Sequence, residues 1–203
     1  MTSHVPQATG GCEYPVSPIG SVSVVELHAA HAAPLQALFE ENVDYFRAIQ
    51  GAPAGPTEAL DELTEPLPEG WSFTRQYRLG WQDRSGDLRA MANITSDLLA
   101  TGVWHIGLFM LQKARHGTGD AQLILRSIEE WARGQGAHWL RLGVVAGNDR
   151  AERFWRSSGF VECRKREGVE MGGQINTVLV MVKPLRGGTL ADYVEAVPRD
   201  RPE

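Results

Sequence analysis

The chain has 203 residues, 42% of them hydrophobic and 22% charged, and a formal net charge of −5. Such a length and mixture suit one domain with a real core and argue against disorder. The acidic balance argues against a general nucleic-acid binder, whose footprint is a basic surplus, and no apolar run approaches bilayer length.

Residues 1–20 are polar, with Pro6, Pro15 and Pro18, and read as an arm without a basic-then-apolar leader pattern. A single domain is expected over 21–186, followed by a Gly/Pro-containing tail over 187–203. Cys12 falls in the arm and Cys163 in a strand, so both read as unbridged thiols suited to a reducing cytoplasm. The domain begins with a short strand at 22–27. Pro34 then opens a helix whose Leu35, Leu38, Phe39, Val43, Phe46 and Ile49 share one face. A turn-rich break at 51–56 leads to a second helix over 57–63. Strands at 73–82 and 88–98 flank Asp83-Arg84-Ser85-Gly86-Asp87, a hairpin signal.

A long apolar strand follows at 103–111, interrupted by Gly107, which is consistent with a bulge or a close backbone approach. The positively charged Gln112-Lys113-Ala114-Arg115-His116 then leads into Gly117-Thr118-Gly119. A helix over 118–133 presents Ala121, Ile124, Leu125, Ile128, Trp131 and Ala132 on one face and stops at Gly134 and Gly136. The next strand, 138–145, ends in Ala146-Gly147-Asn148. Asn148 caps a short helix with Ala151, Phe154, Trp155 and Ser158 in register, and Gly159 closes it. Strands at 161–169 and 175–182 pair around Met171-Gly172-Gly173, and one helical turn is expected near 191–196 in the tail.

Gly117-Thr118-Gly119 is the most telling stretch. A glycine turn feeding a helix start aims unpaired N–H groups and the positive end of the helix dipole at one spot, an anion site suited to phosphate. Two phosphate-binding loops fail here. The nucleoside-triphosphate loop needs Gly-Lys-Ser/Thr, which follows neither glycine. The dinucleotide fingerprint needs a third glycine, where Gln122 stands, and an acid ending the next strand, which ends Val-Ala-Gly-Asn.

Arg115-His116-Gly117-Thr118-Gly119-Asp120-Ala121, then Asn148-x-x-Ala151-x-x-Phe154-Trp155-x-x-x-Gly159-Phe160, resemble the two signature blocks of the GNAT superfamily of acetyl-CoA-dependent N-acetyltransferases. The resemblance covers about residues 88–184 and more weakly the chain from about 22. It implies an α/β (α+β) fold: a strongly twisted mixed sheet of about six to seven strands, helices on both faces, and splayed parallel strands at 103–111 and 138–145. It also implies acetyl-CoA as co-substrate, with no metal, and transfer to a primary amine of a small molecule or peptide without an acyl-enzyme. Carried over residue by residue, Arg115, His116, Gly117, Thr118, Gly119 and Asp120 would hold the pyrophosphate. The backbone of Leu108, Phe109 and Met110 would face the thioester, and Asn148, Phe154 and Trp155 would line the cofactor's arm. Ala114 stands where the first block usually has Gln or Arg, so charge there must come from Lys113, Arg115 or His116. Trp155 stands where many members carry a tyrosine proposed to protonate the departing thiolate, and an indole cannot do so.

An amine with a pKa near 10.4 is mostly protonated at neutral pH, and freeing its lone pair costs about 4.6 kcal/mol, so a base is useful. His105 is the candidate by chemistry, and it matches where the arylalkylamine branch of the family carries a histidine. Asp97, Glu40, Glu41 and Tyr45 could face the acceptor but read as solvated surface, and His28-x-x-His31 reads as incidental for want of a third ligand. The alternative to an enzyme is an acyl-CoA-binding regulatory module with little or no turnover, motivated by Trp155. A homodimer through the C-terminal strands or the tail is compatible with this layout.

Overall fold

The computed structural model describes residues 13–202. Seven strands form one sheet: β1 (Val22–Glu26), β2 (Arg75–Asp83), β3 (Leu88–Ser96), β4 (Val103–Leu111), β5 (Trp139–Val145), β6 (Val161–Met171) and β7 (Gln174–Pro184). Their spatial order is β1-β2-β3-β4-β5-β7-β6. Only β4 and β5 run parallel among these neighbours. The β2–β3 hairpin closes through Asp83, whose carboxylate accepts the N–H groups of Ser85 and Asp87.

Because a strand's side chains alternate between faces, each strand contributes to two cores. On one face, α4 (Asp120–Gly134) and α5 (Asp149–Ser157) cover Trp104, Ile106, Leu140 and Leu142. On the other, α1 (Ala32–Glu41), α2 (Val43–Gln50) and α3 (Glu58–Thr64) cover Met91, Leu108 and Met110. The helix α4 buries Ile124, Leu125, Ile128, Trp131 and Ala132, a spacing that returns to one side at every turn. Each large side chain buried there is worth about 1.5–3 kcal/mol, so packing rather than propensity holds the helix. It begins at Asp120, two residues later than the sequence suggests, because Thr118 and Gly119 are spent on the preceding turn.

Two expectations are corrected. The helix expected from Pro34 to Ile49 is two helices broken at Asn42 (φ −103°, ψ 39°). The buried Asn42 amide donates to Leu38 O at 2.9 Å and to Leu111 O at 3.0 Å, satisfying carbonyls of both the broken helix and β4. Hydrophobic spacing runs across the break unchanged, which is why periodicity misses it. Second, of the segment read as a tail over 187–203, the described residues 187–202 pack onto the sheet. Its α6 (Leu190–Ala196) buries Tyr193 completely against Val103, Trp139, Cys163 and Val182, on the α1–α3 face. The capping box of Thr189 and Asp192 starts this helix. Of the N-terminal arm, residues 1–12, with Cys12, lie outside the described residues. Residues 13–20 dock through Tyr14, whose hydroxyl donates to Glu26 at 2.7 Å. Cys163 is buried and unbridged. Among the described residues, no helix is long and apolar enough to cross a membrane, and no group of three or more His, Cys, Asp or Glu could hold a metal. His28 and His31 instead cap a 3-10 turn at 29–31.

Candidate active site

Strands β4 and β5 pair from Val103↔Trp139 to Ile106↔Leu142 and then separate, although β4 continues to Leu111 and β5 to Val145. The cause lies at Gly107. On the other edge of β4, Ile94 pairs with Ile106 but Asn93 pairs with Leu108, leaving Gly107 as the extra residue of a bulge. A bulge bends its strand and tightens the local twist, turning the end of β4 away from β5. It also resets the alternation, so Ile106 and Phe109 both belong to the α4 face while Leu108 belongs to the other. Since β3 bonds only one edge of β4, alternate N–H and C=O groups beyond Gly107 face the gap.

A cavity of about 750 Å³ runs along this gap and is lined by residues from both faces of the sheet. On the α4 side its wall includes Phe109, Ala121, Asn148, Phe154 and Trp155. Phe109 stacks on Phe154 with centroids 6.0 Å apart, and Trp155 packs among Phe109, Phe154 and Phe160. Asn148 caps α5 by accepting the Ala151 N–H at 3.2 Å. On the opposite side the wall includes Tyr45, Trp71, His105, Arg141, Arg166 and Val178.

At the mouth, Gly117 (φ 80°) and Gly119 (φ 93°) hold left-handed backbone that other residues adopt only with strain. A Cβ at either would meet no protein atom within 4 Å, so the space beside them is open to a ligand. No side chain caps α4. Among the described residues, the amides of Gly117, Thr118, Gly119 and Ala121 have no hydrogen-bond partner. Thr118 and Asp120 shape this loop from outside the cavity wall. The Thr118 hydroxyl donates to Arg115 O at 2.9 Å, and Asp120 pairs with Arg115 at 2.6 Å. Arg115 is therefore largely neutralised. His116 donates from Nε2 to Leu111 O at 3.0 Å, and burial together with Arg150 pulls its pKa down. Free positive charge at the mouth thus rests on Arg150, which lines the cavity with no ion-pair partner among the described residues, and on Lys113, loosely placed 3.8 Å from Asp44. The sequence shows Arg150 only as one of several basic residues.

Deeper in, His105 faces Arg141 across the last paired rungs. Arg141 forms a two-pronged ion pair with Asp200, Nε to Oδ2 at 2.7 Å and Nη2 to Oδ1 at 3.1 Å. Their side chains are 5% and 1% exposed. Tyr193 also donates to Asp200, at 2.7 Å. The remaining guanidinium nitrogen lies 3.3 Å from His105 Nδ1. A guanidinium can only donate, so Nδ1 accepts and the ring proton sits on Nε2. Burial, then the Arg141 charge, pulls the His105 pKa down to about 3. A histidine this acidic, with its lone pair already engaged, is poorly suited to accept a proton at neutral pH.

Every site residue named from sequence except Thr118 and Asp120 lines this one cavity: His105, Leu108, Phe109, Met110, Arg115, His116, Gly117, Gly119, Asn148, Phe154 and Trp155. Of the weaker candidates, Tyr45 and Glu41 also line it. Asp97 instead accepts the Gly102 N–H in the β3–β4 turn, and Glu40 bonds Gln36 on the surface of α1. Arg141, Arg166, Trp71 and Asp200 escaped the sequence reading. One signal was available: Arg141 is the lone charge in an otherwise apolar strand.

An open mixed sheet, split between two parallel strands and leading to a glycine turn at a helix start, defines an acyltransferase fold. The chain belongs to the GNAT family of acetyltransferases, whose model, described as Acetyltransferase (GNAT) family, matches residues 35–160. No curated protein matches the sequence at a significant level. Among solved structures, the Vibrio cholerae spermidine N-acetyltransferase in complex with CoA and spermine is similar at 14% identity and a TM-score of 0.62, over 82% of this chain and 97% of that one. An acetyltransferase from Thermus thermophilus is similar at 18% identity and a TM-score of 0.60, over 81% and 97%. The Escherichia coli ribosomal-protein-S18-alanine N-acetyltransferase is similar at 15% identity and a TM-score of 0.56, over 83% and 96%. At such identities the likeness concerns the fold.

Proposed function

We propose that the protein is an acetyl-CoA-dependent N-acetyltransferase of the cytoplasm that acts on a primary amine by direct transfer. The observation that carries this reading is the gap between β4 and β5, continuous with the unpartnered amides of Gly117, Thr118, Gly119 and Ala121. Those amides, the α4 dipole and Arg150 suit a diphosphate; the gap and the wall of Phe109, Phe154 and Trp155 suit an apolar arm. Acetyl-CoA would supply the acetyl group already activated as a thioester. The unpaired backbone N–H groups of β4 beyond Gly107, in the stretch of Leu108, Phe109 and Met110, would stabilise negative charge growing on the carbonyl oxygen.

On the opposite face the acceptor would meet Tyr45, Trp71 and His105. The cavity wall carries five Lys or Arg residues (Lys113, Arg115, Arg141, Arg150 and Arg166) and two carboxylates, Glu41 and Asp44. With Arg115 and Arg141 paired to Asp120 and Asp200, the excess positive charge rests on Arg150 and Arg166. A positive, partly desolvated environment disfavours an ammonium ion and favours the neutral amine that attacks. The acceptor can then lose its proton to water before docking, and His105 is assigned as an Nε2–H donor rather than a base. Accordingly, His105→Gln is expected to keep the wild-type shape of the kcat/KM profile between about pH 6 and 9. Loss of the acidic limb in that variant would return His105 to the role of base. Trp155 needs no acidic substitute, because a leaving thiol with a pKa of about 8.5 departs readily as thiolate.

The decisive measurement is free-thiol release from acetyl-CoA across a panel of amines, alongside calorimetric titration with CoA. Thiol release above the enzyme-free rate is expected with at least one amine. CoA binding without turnover on any amine would favour the regulatory-module reading.

A further inference from the structure

The cations of the cavity fall into two groups. Lys113, Arg115 and Arg150 lie at the phosphate end, where Asp44 and Asp120 accompany the first two. Arg141 and Arg166 lie in the acceptor half. Arg141 is consumed by Asp200. Arg166 is different. It sits on β6 opposite Val178, just before the irregularity at 167–168, and lines the cavity beside Val169, Met171 and Val180.

Arg166 is partly buried, and its guanidinium has no hydrogen bond or ion pair among the described residues. The charged groups around it are mostly of its own sign: Arg164 on the same strand, Arg141 on β5 and Arg199 in the C-terminal turn at 198–200. Asp200, the carboxylate whose charge acts on Arg166, is already shared by Arg141 and Tyr193. Arg199 is itself stacked over Trp71, 5.5 Å from the ring centroid, which places the C-terminal turn behind a wall residue of the cavity. Neither carboxylate of the cavity wall is in this half, since Glu41 and Asp44 both engage Lys113.

An unmatched guanidinium on a cavity wall, held among like charges and apolar side chains, is a receptor for an anion. Its planar fork matches a carboxylate better than any point charge would. The same field repels a polycationic amine.

Building on the transferase reading, we propose that the acceptor is an amine that also carries a carboxylate on a largely apolar frame, and that Arg166 receives this carboxylate. The substrate class is that of apolar amino acids and close relatives. Arg141, locked by Asp200 in a neutral pair, does not compete for the same anion.

Matched probes test this: L-methionine and L-phenylalanine against the carboxamide of each, with rates corrected for the free-base fraction of each amine. The acids are expected to be favoured in kcat/KM by about 10- to 100-fold, the usual worth of one hydrogen bond to a charged group. In Arg166→Gln that preference should collapse toward unity, and in Arg166→Lys part of it should return. Circular dichroism melts of both variants establish that they fold. Equal use of acid and amide, or faster turnover of spermidine than of either acid, would overturn the inference while leaving the transferase reading intact. A raised KM for acetyl-CoA in Arg166→Gln, with acid preference unchanged, would also overturn it by moving Arg166 to the cofactor. Should no amine be turned over, calorimetry with CoA present decides. Acid binding that is lost in Arg166→Gln would support the carboxylate site as the transferase reading falls, and no acid binding would overturn both.

Discussion

Replacing Gly119 by valine is expected to weaken CoA binding about 100-fold, the loss of one to two hydrogen bonds to a charged group plus a branched side chain in their path. The melting temperature should fall by only a few degrees. Gly119 has φ 93°, and an L residue there costs about 1–2 kcal/mol of backbone strain. For a domain of this length, that is worth roughly 2–8 °C. No protein atom lies within 4 Å of the added Cβ, so clashes within the fold contribute nothing. Gly86, in the β2–β3 turn, provides the control because it has the same φ of 93° and contacts only the end of Gln82. Gly86→Val should show the same thermal penalty with wild-type CoA affinity. Calorimetry on the two variants separates strain from ligand contact. Unchanged affinity in Gly119→Val would mean that the diphosphate does not sit at this turn.

A second large effect is expected at the other end of the chain. Asp200→Ala should destabilise the fold by about 3–5 kcal/mol, because it leaves the Arg141 guanidinium buried without its counter-charge. A domain of this size would then melt on the order of 10 °C lower. The paired change Arg141→Met with Asp200→Leu should recover most of the loss, since apolar groups of similar volume carry no desolvation cost. Arg141 holds the Asp200 carboxyl below its ordinary 3.8, against the opposing effect of burial. Its contribution is therefore present above about pH 3.8 and is lost as pH falls further. His105 acts earlier in the same direction. Its unfolded value is 6.5 and its folded value about 3, so the unfolded chain gains a proton first and stability declines as pH drops from 6.5 toward 3. Urea melts across this range should show that decline in the wild type and a flatter upper part in His105→Gln. If Asp200→Ala melts like the wild type, the buried pair is not what docks the C-terminal segment.

How much of this was legible follows from how far apart the contributing residues lie. The side proposed for the cofactor is written almost continuously. Gly117 to Ala121 contain both the left-handed turn and the open helix start, and Asn148, Phe154 and Trp155 follow on one short helix. Local backbone chemistry decides both, so residue type and spacing announce them. Gly107 was consistent with a bulge or a close backbone approach for the same reason, and the structure has the bulge. Strand limits moved by up to two residues, where pairing rather than composition sets the end. The break at Asn42 was hidden because its cause is Leu111, brought next to α1 by the sheet.

The acceptor half has no local signature. His105, Arg141 and Arg166 stand on three strands, Trp71 lies in a loop, and Asp200 pairs with an arginine 59 residues away. By itself the sequence determined the family, the alternation of strands and helices, and the amide cradle, since each depends on torsions and spacing within a few neighbouring residues. Only the tertiary structure decided that the last turn of the chain is built into the core, that His105 faces an arginine, and that Arg166 is left without a counter-charge. Those outcomes depend on which charges burial brings together, and no short window of residues contains that information.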